Sequence, residues 1–445
     1  MSSRKAALTI LYETEAKNGY LNLVFANTLK EYSLSPKDTA FVKELVFGVY
    51  RNKLLLDYII RKNSKLRLKK IEPKVLNILR MGVYQILFMD KVPDHAAVSE
   101  SVSLAKQNSK GKVPGFVNAV LRSVLKNPKI NLDELKGDKI KYLSVLYSFP
   151  SELTEFFVNT FGYERCEKLM KASNETPELC VRVNTLKITR DELKEKLKEK
   201  GIETKETPFT DCGLYLYGAN EMVRKEFSEL FTVQDQSSQL SALSLLPEEN
   251  DTILDLCSAP GGKTTHMAEL MKNKGKIYAF DLYEKRLLDV KLSANRLGIS
   301  IIETNVKDAT IFDPEFEEKA DKVLIDVPCS GLGIIRRKPD IKYKDNITDF
   351  SEILSVQKSI LENAKRYLKK GGILVYSTCT VNPEENLEMI NNFLKENPDF
   401  SLDPILSEHI TGEIRKRAMS GYMEIFPDTD SSDGFFVCRL KKRNE

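Results

Sequence analysis

Tryptophan is absent from this 445-residue chain, histidine occurs three times, and the seven cysteines are scattered at 166, 180, 212, 257, 329, 379 and 438. An odd, dispersed set of thiols in a long chain gives no disulfide framework and predicts reduced, cytoplasmic cysteines. There is no Cys-x-x-Cys or His-x-x-x-His spacing, so no metal site is expected. No run of about 18 apolar residues exists, which excludes a membrane-spanning helix. The start, Met1-Ser2-Ser3-Arg4-Lys5, leads into a patterned helix rather than a signal peptide. Internal repeats and low-complexity tracts are lacking. The length predicts two or three domains.

The net charge of +4 hides an asymmetry. Residues 1–130 hold 23 Lys+Arg and 10 Asp+Glu, a net of +13; the rest hold 45 and 54, a net of −9. A basic module joined to an acidic one points to a polyanionic partner for the first. The densest stretch is Arg61-Lys62-Asn63-Ser64-Lys65-Leu66-Arg67-Leu68-Lys69-Lys70. The plainer account of such a run is a solvated loop between helices. The excess over the whole module is what raises nucleic acid as an alternative.

Periodicity separates three regions. Residues 1–130 read as an all-α domain, with helices over Arg4–Lys17, from Ser35 to about Ile60, over Pro73–Met89, from Pro93, and over Val113–Leu125. Ser35-Pro36-Lys37-Asp38 supplies an N-cap with proline at the first helical position. Residues 131–235 read as a small α/β module: helix over Asp138–Asn159 with a break at Phe149-Pro150, strands over Leu179–Asn184 and Gly213–Tyr217, and helix over Arg190–Lys200. From 236 to 445 strand and helix alternate, which predicts a doubly wound parallel sheet. Its expected strands are Thr252–Leu256, Lys276–Phe280, Ser300–Glu303, Val323–Ile325, Ile373–Tyr376 and Phe435–Leu440.

Three strands end on chemically distinctive sequences. Thr252–Leu256 is followed by CSAPGGKTT (Cys257 to Thr265), the second motif is Asp326-Val327-Pro328-Cys329-Ser330-Gly331, and the third is Ser377-Thr378-Cys379-Thr380. In an open α/β sheet the carboxyl ends of neighbouring strands form the ligand crevice, so a glycine-rich loop and two thiols would meet there. The loop is not a Walker A sequence, because Cys257 stands where its first glycine belongs, and G-x-G-x-x-G is absent. A third reading is S-adenosylmethionine, which needs a tight turn beside its amino-acid tail and an acid for the ribose hydroxyls. Asp281 is that acid, and Asp308 follows the next strand, placed for the adenine amino group.

A methyl donor beside two thiols suits cytosine C5, a poor nucleophile until a thiolate adds to C6. The chemistry needs that thiolate, an acid at the ring and a group for release. Cys379, Asp326 and Cys329 can fill these roles, with Lys263 a candidate for the positive setting a thiolate requires. Cys166, Cys180, Cys212 and Cys438 read as buried packing residues. His95, His266 and His409 read as structural, and Cys257 as a loop-shaping residue.

At these residues the chain resembles the RNA cytosine-5 methyltransferases of the Nop/Sun family. Lys322 to Gly331 is similar to the family signature, Ser377-Thr378-Cys379 to its nucleophile motif and CSAPGGKTT to its cofactor loop. Arg336-Arg337-Lys338-Pro339-Asp340-Ile341-Lys342 and Asp433-Gly434-Phe435-Phe436 also match. The helical start, opening on Arg4-Lys5-Ala6-Ala7, resembles the NusB-like RNA-binding fold, a fusion found in the bacterial Sun/RsmB branch. The resemblance implies a NusB-like domain over 1–130, an α/β linker domain over 131–235 and a Rossmann-like class I methyltransferase domain over 236–445. It makes Cys379 the nucleophile, Cys329 the release group and Asp326 the base-contacting acid. S-adenosylmethionine would be lined by Cys257, Ser258, Ala259, Pro260, Gly261, Gly262, Lys263, Asp281, Asp308 and Asp326. It further implies a cytoplasmic, monomeric enzyme acting on one cytosine of 16S rRNA, position 967 in the usual rRNA numbering. The chain departs from the family in having only Phe between Glu152 and Phe156, where Trp is usual, and Gln236 where Glu is common. The alternatives are a non-catalytic NusB-like antitermination factor and a P-loop ATPase.

Overall fold

The computed structural model describes residues 3–444 except Asn18, Ser33 and Lys110; Met1 and Ser2 of the expected N-terminal run lie outside the described residues. The chain divides into two units, Met1–Glu175 with Arg337–Thr348, and Thr176–Arg336 with Asp349–Glu445.

The first unit is helical: α1 (Ser3–Ala16), α2 (Leu21–Glu31), α3 (Pro36–Arg51), α4 (Lys53–Asn63), α5 (Pro73–Phe88), α6 (Asp94–Asn108), α7 (Val113–Lys126), α8 (Lys139–Tyr147), α9 (Ser151–Phe161) and α10 (Tyr163–Ser173). The expected cap on α3 is present: Ser35 Oγ accepts from Asp38 N at 3.1 Å, with Pro36 at the first turn. Caps of this kind stabilise by about 1 kcal/mol. The apolar stripes of α1, α3, α4, α5 and α7 meet in one core around Leu11, Val46, Leu56, Ile78, Leu79 and Leu121. Helix α2 is absent from the sequence expectation. It has no side-chain cap and buries only Leu21 and Thr28, so its period is faint.

Residues 337–348 belong to this helical unit although they follow the Pro328-Cys329 motif in sequence. Lys342 is wholly buried, donating to Asn174 Oδ1 at 2.9 Å and Arg51 O at 3.1 Å, 4.4 Å from the centre of the Phe149 ring. Burial pushes its pKa well below the usual lysine range. Tyr343 Oη donates to Tyr50 O and Ser148 O at 3.0 and 2.9 Å.

The second unit begins with a four-stranded antiparallel sheet in the order β2-β3-β1-β4: β1 (Leu179–Val183), β2 (Glu203–Glu206), β3 (Gly213–Tyr217) and β4 (Phe231–Val233). Helix α11 (Arg190–Glu199) packs on it, and α12 (Glu221–Glu226) and α13 (Gln236–Leu245) follow. The large sheet comprises β5 (Thr252–Asp255), β6 (Lys276–Asp281), β7 (Ile302–Val306), β8 (Ala320–Asp326), β9 (Leu368–Thr378), β10 (Phe400–Leu402), β11 (Tyr422–Ile425) and β12 (Phe435–Lys442). Its order is β10-β12-β9-β8-β5-β6-β7, with β11 also paired to β12. Helices α14 (Gly262–Leu270), α15 (Glu284–Leu297), α16 (Ser351–Tyr367) and α17 (Leu387–Glu396), with the short α18 (Ile414–Ala418) and α19 (Pro427–Asp430), complete the unit.

The expectation of a parallel sheet holds from β7 to β9 and fails beyond. Strand β12 runs antiparallel to β9, β10 and β11. Parallel neighbours need a crossover, whereas antiparallel ones accept short returns, and β11 (ending at Ile425) returns directly to β12 (starting at Phe435). Strand β7 also lies about two residues later than expected, and β8 and β9 start earlier.

Side chains alternate between two cores. Ile253, Leu324 and Val375 face one; Leu254, Val323 and Leu374 face the other. Both faces are buried, which is why these strands are continuous apolar runs. Connections run from β5 toward β6 in one direction, and β8 and β9 lie on the other side. This reversal opens the crevice at the carboxyl ends of β5 and β8.

Candidate active site

Three adjacent strand ends build the site. Asp326 at the end of β8 is in register with Ser377 of β9, and Leu324 of β8 with Asp255 of β5. Cys329 follows Asp326 by three residues and Cys379 follows Ser377 by two, so neighbouring strands deliver both thiols to one place. Their sulfurs are 3.2 Å apart, and Cys379 N–H points at Cys329 Sγ from 3.3 Å. Both are partly exposed and neither is in a disulfide. The Cys329 thiol is pushed well above its usual pKa, chiefly by its hydrogen bond to Cys379, then by burial and by the charges of Cys379 and Glu385.

Asp326 accepts from Lys263 Nζ at 2.7 Å and from Ser377 Oγ at 2.9 Å. The lysine named as a candidate partner for the thiolate is thus engaged by this carboxylate.

The glycine loop turns between β5 and α14. Ser258 N and Oγ both donate to Phe280 O, at 2.8 and 2.9 Å, tying the loop to β6. Gly261 has φ of +99°, and a Cβ there would lie 3.0 Å from Val290 Cα, so the position admits only glycine. Helix α14 starts at Gly262, directly after the loop that follows β5, and has no side-chain cap on its first turn. Asp281, at the end of β6, is buried and accepts from Ala259 N at 3.3 Å and Tyr283 N at 3.1 Å, with Arg286 at 3.1 Å. Asp308 lies one residue beyond Lys307, whose N–H donates to Asp281 O. Its carboxylate bonds to Thr310 N and Oγ1 of its own loop, not to the other site residues. Cys257 has its pKa pushed well up by burial and by Asp255, Asp326 and Asp281, which keeps the thiol protonated.

Some residues of the candidate site escape a motif reading. Asp255 is buried and receives Thr264 Oγ1 at 2.7 Å; its other oxygen has no partner. Burial raises its pKa to about 7. Its place at a strand end, like Asp281 and Asp326, was the available signal. Arg182 of β1 is wholly buried, pairs with Glu269 at 2.7 Å, and donates to Gly262 O at 2.6 Å and Thr265 Oγ1 at 3.1 Å. It braces the start of α14 from behind. Glu385, also wholly buried, bonds to the loop that carries Cys329. Cys166, Cys180, Cys212 and Cys438 are buried, as packing residues should be. His266 is buried too, its pKa pushed well down by desolvation.

The fold and site have close counterparts among known proteins. Residues 242–441 match the family model described as 16S rRNA methyltransferase RsmB/F, residues 1–126 the NusB family, and residues 149–222 the RsmF/B-like ferredoxin-like domain. The chain is 36% identical to the probable ribosomal RNA small subunit methyltransferase B of Bacillus subtilis (strain 168), covering 99% of both chains. It is 34% identical to ribosomal RNA small subunit methyltransferase B of Klebsiella pneumoniae (strain 342), over 93% of this chain and 92% of that one. A crystal structure of a methyltransferase homologue from Pyrococcus horikoshii superposes with a TM-score of 0.59 at 30% identity, covering 70% of this chain and 99% of that one. With near-complete coverage and a NusB domain preceding the methyltransferase domain, the chain belongs to the RsmB/F family of rRNA methyltransferases.

Proposed function

We propose that this protein transfers a methyl group from S-adenosylmethionine to C5 of a cytosine in 16S rRNA through a transient Cys379–C6 adduct. Family membership carries the coarser part, S-adenosylmethionine-dependent rRNA methylation. The observation that carries the finer part is the thiol pair, 3.2 Å apart beside the Asp326 carboxylate. One thiol would suffice for packing; two at adjacent strand ends suit addition and release.

The chain's residues fit the donor. The unpartnered oxygen of Asp255 suits the ammonium of its amino-acid tail, the α14 N-terminus its carboxylate, Asp281 its ribose hydroxyls and Asp308 its adenine amino group. Residues 257–263 would wrap the tail. The donor supplies an electrophilic methyl group.

The Cys329 thiol, held up by its hydrogen bond to Cys379 and by burial, keeps its proton at first, which suits it to release and leaves attack to Cys379, the residue of the nucleophile motif. Cys379 bonds to C6, electron density moves to C5, and C5 takes the methyl group. Asp326, positioned by Lys263 and Ser377, contacts the ring edge. Once Cys379 is a neutral thioether, its charge no longer raises Cys329, which can lose its proton to solvent. The Cys329 thiolate then removes the C5 proton, the C6–S bond breaks, and Cys379 leaves as a thiolate.

The division of labour follows the three segments: 1–130 for RNA, 131–235 as linker and 236–445 for chemistry. The working form is a cytoplasmic monomer acting on free or partly assembled 16S rRNA, with cytosine 967 the target implied by the resemblance. No helix among the described residues is long and apolar enough to cross a membrane. The test is incubation with 16S rRNA and S-adenosylmethionine, followed by mapping of 5-methylcytosine. A single modified cytosine is expected; a methyl group on another atom or base contradicts the proposal.

A further inference from the structure

Glu385 lies in the turn after β9 and is wholly buried. Its carboxylate accepts from Ser330 N at 2.9 Å, from Gln357 Nε2 at 2.9 Å, from Asn382 Nδ2 at 3.1 Å and from Ser330 Oγ. Ser330 Oγ also meets Thr380 Oγ1 at 2.7 Å. Ser330 directly follows Cys329, and Thr380 directly follows Cys379. One carboxylate therefore ties together the two loops that carry the thiols. Its backbone is fixed as well, because Tyr376 Oη of β9 donates to Glu385 O at 2.6 Å.

We propose that Glu385 is a positioning residue for the thiol pair, holding the two cysteine loops in register and placing a negative charge on the Cys329 side. The inference rests on the two-thiol reading above and adds a residue to it. All four contacts are donors, and no Lys or Arg is among them, so hydrogen bonds alone satisfy the buried group. A glutamine has the same reach but would turn an NH2 donor toward one pair of these donors, so only a carboxylate satisfies all four. A carboxylate adds a field at Cys329 that favours its protonated form. That field persists after Cys379 becomes a thioether, so Cys329 stays a strong enough base for the C5 proton. Besides Cys379, the ionisable groups that act on this cluster through Tyr376 are Cys438 and Asp326, the last already held by Lys263.

The experiment uses full-length Glu385→Gln and Glu385→Asp. Cofactor affinity is measured by isothermal titration, folding by melting, and methyl transfer to 16S rRNA in single turnover across pH. In Glu385→Gln we expect a lower melting temperature, from the donors left facing the amide, cofactor affinity like the parent, and the midpoint of the pH–rate profile moved down by about one unit. Glu385→Asp keeps the charge but is too short to reach both loops, so transfer should fall with the midpoint unmoved. A Glu385→Gln protein with an unmoved midpoint overturns the proposal, as does loss of cofactor binding together with transfer, which would mark a general structural role. If the parent protein forms no 5-methylcytosine, the two-thiol reading itself fails, whatever the variants do.

Discussion

Asp255 is buried with one oxygen on Thr264 and the other without a partner, and its pKa is raised to about 7. Between its unfolded value of about 3.9 and 7, the folded chain holds a proton that the unfolded chain releases. Stability from this group is therefore lost as pH rises through that window, by up to about 4 kcal/mol at 1.36 kcal/mol per unit. Asp255→Asn removes the slope. It should melt higher than the parent at pH 8, with the gap closing toward pH 4, while binding S-adenosylmethionine more weakly. Melting curves at the two pH values with a cofactor titration check both halves. Asp281→Ala isolates the ribose contact: losing a charged hydrogen bond costs about 1.5–3 kcal/mol, or roughly ten- to a hundredfold in cofactor affinity. Titration should find that loss with rRNA binding unchanged.

The loop after β8 and the loop after β9 meet without side chains at one point. Gly333 N donates to Cys379 O at 3.0 Å, and Gly434 N donates to Gly333 O at 2.8 Å. A methyl group on Gly333 would sit 2.1 Å from Gly434 O and 2.8 Å from Cys379 O, all backbone that cannot rotate away. Gly333→Ala should spread the two loops and cost about 100-fold in methyl transfer, since small misplacements of reacting groups are that expensive. Cofactor affinity, measured in parallel, should hold, because the α14 loop lies on another strand. Much at this scale was readable in advance. The strands carrying Asp281, Asp326 and Cys379 are long apolar runs ending on polar residues, and their adjacency follows from the α/β rule. The charged edge strand Glu203–Glu206 and the short β10 and β11 were not readable, because an exposed strand, or one of three or four residues, is too brief to establish a period in sequence. Glu385 and Arg182 were hidden for another reason. Charged residues are expected at the surface, and only tertiary packing reveals a buried one.

The same bias concealed the place of residues 337–348. Lysines are expected at the surface, yet Lys342 is wholly buried in the helical unit. A truncation starting near residue 131 would strip Lys342 of Arg51 O and Tyr343 of Tyr50 O, so it tests folding as much as RNA binding. Substitution on the surface is the cleaner test of the +13 module. Arg61, Lys65, Arg67, Lys69 and Lys70 are exposed, and Lys62 pairs with Glu134. Neutralising all six should flatten the dependence of rRNA affinity on salt, by about 0.7–0.9 in log–log slope for each phosphate no longer neutralised, with cofactor affinity unchanged. An unchanged slope would mean the run is merely solvated. What the whole molecule does to RNA can be read from one gel. Parent, Cys329→Ala and Cys379→Ala proteins are incubated with 16S rRNA and S-adenosylmethionine, denatured and separated. The account predicts a denaturation-resistant protein–RNA band for Cys329→Ala, none for Cys379→Ala, and methyl transfer abolished in Cys379→Ala. A persistent band from Cys379→Ala but not from Cys329→Ala would contradict the assignment of the two thiols, and no band from any of the three would contradict the covalent mechanism.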